Sequence, residues 1–112
     1  MSKKVLIVND SRFEALILKD SISKLGYIAY IADEYNAMRI IEEIKPQLLV
    51  VNLIMKETRG DIFIANVKWR YPNIQCILTS CNEINLKEFD NKAISSVLKT
   101  PIILKELEDA LV

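Results

Sequence analysis

Four consecutive apolar residues, Leu48-Leu49-Val50-Val51, stand between Pro46 and the polar Asn52. The run is too short for a helix, and its apolar side chains fall on both parities, so a strand here is apolar on both faces. Such a strand is stable where helices cover both sides of a parallel sheet. Pro46 closes the helical pattern before the run, and a loop carries the chain from Asn52 to Gly60. Open parallel sheets place their ligand sites outside the carboxyl ends of strands, where the strand order reverses. Asn52 is therefore the first place to look for chemistry.

The same signal recurs along the chain. Val5-Leu6-Ile7-Val8 reads as a first buried strand ending at Asn9-Asp10, and residues 27–31, 75–79 and 96–99 read as three more. Ser11 is placed to cap a helix over residues 12–25, with Ala15, Leu18, Ile22 and Leu25 at helical spacing and Gly26 at its end. Asp33 is placed to cap a second, with Ala37, Ile40, Ile41 and Ile44 on one face and Lys45-Pro46 as its stop. Asp61 is placed to cap a third, with Phe63, Ile64 and Val67 inward and Pro72 beyond it. Residues 82–92 hold a loose stripe of Ile84, Leu86 and Phe89 running on to Ala93, which predicts a short or irregular helix. Leu104, Leu107 and Leu111 mark the last helix. The alternation predicts an α/β fold of three layers over residues 1–112, a parallel sheet with helices on both faces and right-handed crossovers.

Composition excludes several function classes. Fifteen basic and fifteen acidic residues cancel in a chain of 112, so nothing favours a nucleic-acid backbone as a direct partner. No apolar run approaches the ~20 residues of a membrane span. Met1-Ser2-Lys3-Lys4 leads into the first strand without a signal pattern, and a cytoplasmic location is expected. The chain has no histidine, which removes the commonest general base and metal ligand and every histidine-based triad. With Cys76 in a strand, Cys81 lies too far along the chain for a disulfide. Cys81 has no clear basic neighbour and reads as an inert thiol. Trp69 and Tyr71 read as packing residues near the end of the third helix.

With this order of elements and with Asn9-Asp10, Asn52, Gly60, Thr79 and Thr100-Pro101 at successive strand ends, the chain resembles the receiver domains of two-component response regulators. The resemblance covers essentially the whole chain and implies a flavodoxin-like five-stranded sheet of order 2-1-3-4-5. It implies a magnesium site at Asn9 and Asp10, the side chain at 52 and the backbone carbonyl of Ile54. It makes Asn52 the phospho-acceptor position and Thr79 a phosphoryl-binding hydroxyl. It places a lysine just before a cis proline, where this chain has Thr100 before Pro101. Lys99 then lies one position early, on the face turned from the pocket. An aromatic residue of the fifth strand is replaced by Val97.

Read as chemistry, these replacements degrade a phosphoryl-transfer site. A carboxamide oxygen is a far weaker nucleophile than a carboxylate and a poorer ligand for a hard cation. The lost lysine removes a cation that would pair with phosphoryl oxygens. The resemblance thus implies a pseudo-receiver, not an enzyme, with a weak magnesium site at most and no other cofactor. The expected role is protein–protein interaction in signalling through the face formed by residues 82–112, independent of phosphorylation. Two other readings stay open at this stage. One is an active receiver taking a phosphoryl group from a histidine kinase at another carboxylate, such as Asp10, and the other is a structural docking module of a longer protein. Asn52 as a strand-end residue bonded to loop backbone, Asp10 as a helix cap and Thr79 as a buried hydroxyl bonded to backbone are the plainer alternatives.

Overall fold

The computed structural model describes residues 3–82, 88–89 and 93–112. Strand β1 (Lys4–Val8) runs parallel to β2 (Ile28–Ala32) on one side and β3 (Leu48–Asn52) on the other. Beyond β3 come β4 (Gln75–Ser80) and β5 (Ser96–Lys99), again parallel, giving the order 2-1-3-4-5. The order reverses at β1, so the carboxyl ends of β1 and β3 flank a crevice.

Both faces of the sheet are apolar, as the strand sequences require. Leu6, Val8, Leu49, Val51, Cys76 and Leu78 face α2 (Ala37–Ile44) and α3 (Gly60–Arg70), packing with Ile41, Phe63, Ile64 and Val67. Val5, Ile7, Leu48, Val50, Ile77 and Leu98 face α1 (Arg12–Lys24) and α4 (Leu104–Leu111), packing with Ala15, Leu18, Ile22, Leu107 and Leu111. Full burial of a leucine, isoleucine or valine contributes about 1.5–3 kcal/mol. That outweighs the indifferent helix propensity of a segment such as α3, which holds three β-branched residues and a glycine in eleven positions.

Ser11 caps α1 as its position suggests, its hydroxyl accepting from the Glu14 N–H at 3.3 Å. Gly26, at φ +95°, supplies the left-handed turn that ends it. The third helix differs from expectation. It starts at Gly60 with Arg59 at the cap position, and Asp61 lies in the first turn, paired with Arg59 at 3.1 Å. Asp33 caps the turn before α2 instead of the helix, accepting from the Tyr35 and Asn36 N–H groups at 2.9 and 3.0 Å. The second strand is shifted by one residue, and of the three leucines that mark the last helix Leu107 and Leu111 are buried while Leu104 is exposed.

Tyr71 packs against the core, whereas Trp69 is 87% exposed, against the packing role expected for it. The irregular helix expected over 82–92 falls outside the described residues except for Asn82, Glu88 and Phe89. Among the described residues no helix is long and apolar enough to cross a membrane.

Candidate functional site

The parallel register brings the candidate residues to one end of the sheet. Asn52 pairs with Thr79, Thr79 with Leu98 and Ser80 with Lys99. Asn52 and Thr79 belong to the same sheet face as Val50, Ile77 and Leu98, the face that α1 and α4 cover. Lys99 is exposed and has the parity of Val97, whose side chain packs on the opposite face. Thr100, whose N–H donates to the Ser80 carbonyl at 2.7 Å, precedes the one cis peptide found among the described residues, Thr100–Pro101.

Asn52 is held at both ends. Its Nδ2 donates to the Ile54 carbonyl at 2.8 Å, and its Oδ1 accepts from the fully buried Thr79 hydroxyl at 3.2 Å. A carbonyl can only accept, so the end of the amide facing Ile54 has to be the nitrogen. Gly60 closes the other side of the loop. Its N–H donates to the Leu53 carbonyl at 2.7 Å, and a Cβ there would collide with the Asn52 backbone carbonyl. Only glycine permits that approach.

Asn9 is equally committed. Its Oδ1 accepts from the Ser11 N–H and its Nδ2 donates to Glu14 Oε1, each at 2.9 Å. The side chain is 4% exposed and built into the start of α1. Asp10 is half-buried and leaves the cap to Ser11. It lines a shallow recess of about 210 Å³ with Arg12, Asp33 and Asn36.

This donor set is a poor match for magnesium, which asks for near-octahedral hard oxygen ligands and favours carboxylates. Of the four groups that the family resemblance implies for a metal, Asn52 and Ile54 are hydrogen-bonded to each other, Asn9 is bonded to α1, and Asp10 is the one carboxylate. Among the described residues no group of three or more histidine, cysteine, aspartate or glutamate side chains could hold a metal ion.

Two residues of this region escaped the sequence reading. Glu14 is the partner of Asn9. Glu34, in the loop before α2, accepts from the Glu57 N–H at 3.1 Å and the Thr58 N–H at 2.9 Å. It thereby ties the β2–α2 loop to the loop that follows β3. Its contacts span more than twenty positions of sequence, and no local pattern announces them.

Beside the site lies an apolar groove of about 320 Å³ between α1 and the β5–α4 loop, lined by Phe13, Ile17, Leu18, Pro101, Ile102 and Leu107 among others. Phe13 and Ile17 are 77% and 51% exposed, and Ile103 and Leu104 extend the apolar surface along the start of α4.

No family model matches the chain. The chain is 34% identical over 83 residues to the chemotaxis protein CheY of Thermotoga maritima, a match covering 71% of this chain and 68% of that protein. Among solved structures, it superposes on the signal receiver domain of an HD domain-containing protein from Pseudomonas fluorescens Pf-5 with a TM-score of 0.89. That match has 21% identity and covers 99% of this chain and 92% of the other. The chemotaxis protein CheY4 of Vibrio cholerae gives a TM-score of 0.88 at 20% identity, over 99% and 97% of the two chains. At these identities the two structures establish the shared fold, and the Thermotoga protein carries the family relationship.

Proposed function

The chain belongs to the response regulator receiver family of two-component signalling, and on that premise we propose that it is a protein-interaction module whose state is not set by phosphorylation. The observation that carries this reading is the bonding of Asn52, at the position that the resemblance makes the phospho-acceptor, with its amide nitrogen donating to Ile54 and its oxygen accepting from Thr79. Phosphoryl transfer needs an anionic oxygen in line with phosphorus and a cation to neutralise charge as it develops. A carboxamide is neutral, and here its oxygen already accepts a hydrogen bond. Thr100 puts a neutral hydroxyl where the family resemblance implies a lysine.

The partner surface in this reading is the face formed by the segment 82–112, where Ile103 and Leu104 are exposed. The groove beside Pro101 and Ile102 widens it towards α1. Apolar groups concentrated at one edge of a surface, with polar groups around them, are what a docking partner needs.

Incubation with acetyl phosphate and magnesium, followed by intact-mass spectrometry, tests the proposal. The expected result is an unchanged mass. A stable, base-labile gain of one phosphoryl group would overturn it, and peptide mapping of that group to Asp10 would establish the alternative acceptor.

A further inference from the structure

An amide in place of a carboxylate reverses the polarity of one contact. Asn52 Nδ2 lies 2.8 Å from the Ile54 carbonyl oxygen. A carboxylate on the same scaffold would set two lone-pair-bearing oxygens against each other, and only a cation or a proton between them relieves that repulsion. The carboxamide brings the proton itself.

The rest of the loop is tied independently. Ile54 and Arg59 form an isolated antiparallel bridge across it, and the Gly60 N–H bonds to the Leu53 carbonyl. Glu34 binds the Glu57 and Thr58 N–H groups from the β2–α2 loop. We infer that the Asn52 carboxamide is a built-in substitute for the divalent cation of this site, its N–H bond to Ile54 holding loop 53–59 closed without a metal. The inference deepens the reading of the chain as a phosphorylation-independent receiver and rests on it for the identity of the ion replaced. The loop itself is defined by the hydrogen bonds above.

The experiment measures amide hydrogen exchange across residues 53–59, in EDTA and in about 10 mM magnesium chloride, above the millimolar affinities of weak cation sites. No phosphodonor is present, so its outcome is separate from that of the phosphorylation assay. The natural protein is expected to show the same protection in both buffers. Asn52→Asp is expected to exchange about tenfold faster in EDTA, the loss of one well-made hydrogen bond, and to recover in magnesium. Asn52→Ala is expected to exchange faster in both. Magnesium-dependent protection of the natural loop, or an Asn52→Asp loop as protected in EDTA as the natural one, overturns the inference. If Asn52→Asp is unfolded in EDTA, circular dichroism decides: refolding on adding magnesium supports the substitution of amide for ion, and failure to refold overturns it.

Discussion

The Thr79 hydroxyl lies 3.2 Å from Asn52 Oδ1 and 3.5 Å from the Val51 carbonyl oxygen, with a single proton to give to the two. The shorter contact takes it, and this orients the Asn52 amide with its nitrogen towards Ile54. Thr79→Val keeps the shape of the side chain and removes the donor. In a fully buried position the expected loss is about 1–2 kcal/mol in urea unfolding, while Thr79→Ser keeps the bond and should retain most of the stability. A wild-type midpoint for Thr79→Val would mean that the bond contributes nothing.

Gly60 and Gly26 make opposite demands on a methyl group. At Gly60 a Cβ meets the Asn52 backbone, which cannot turn aside, so Gly60→Ala should cost about 2–4 kcal/mol and loosen the loop after β3. At Gly26 a Cβ finds open space but the backbone sits at φ +95°, so Gly26→Ala should cost only about 1 kcal/mol. Chemical denaturation of the pair checks the ranking, and equal costs would contradict it.

Asn9 Nδ2 donates to Glu14 Oε1 at 2.9 Å, so Asn9→Asp replaces a hydrogen bond with a like-charge contact. The expected destabilisation is about 1–2 kcal/mol at neutral pH. Glu14→Gln on that background should recover most of it, a coupling that a double-mutant cycle reads directly. Additive costs would show that the two side chains act separately. Rebuilding an acidic pair at 9 and 10 therefore begins with position 14.

The two cysteines should be separable by reactivity. Cys81 is exposed and Cys76 is buried in β4, its thiol pushed up to about 12 by burial, with Lys68 opposing weakly. One thiol should react with a disulfide reagent at once and the other only on unfolding. Because the folded pKa of Cys76 lies above its ordinary value of 9.0, the stabilisation from keeping that thiol neutral is complete below pH 9 and is lost as pH rises towards 12. The loss amounts to about 4 kcal/mol at most. Cys76→Ala should flatten the fall in stability over that range, and an unchanged slope would count against the shift.

Much of the fold was legible because the strands are apolar on both parities, which only a sheet covered on both sides satisfies. Residues 48–52 and 96–99 form strands over the span read from sequence. The start of α3 was missed because the close approach of Gly60 to Asn52, and not a capping side chain, sets where the helix begins. Trp69 was misread because a large aromatic residue suggests burial. On α3 it stands seven positions from Ile62, on the outward face and away from Phe63, Ile64 and Val67. In the site, residue identities were readable one by one. Their bonds to each other, and the parts played by Glu14 and Glu34, depend on three-dimensional proximity that no spacing encodes.

The strand order has a further consequence, for self-association. Among the described residues it makes β2 and β5 the outer strands of the sheet. The β5 edge is four residues long and carries the exposed Lys99, a short charged edge of the kind that resists strand addition. The β2 edge, Ile-Ala-Tyr-Ile-Ala, is one residue longer, has no charge, and begins with the exposed Ile28. Under conditions that loosen the helices, cross-chain pairing should therefore start at β2, and a lysine at Ile28 is the smallest change that would blunt it.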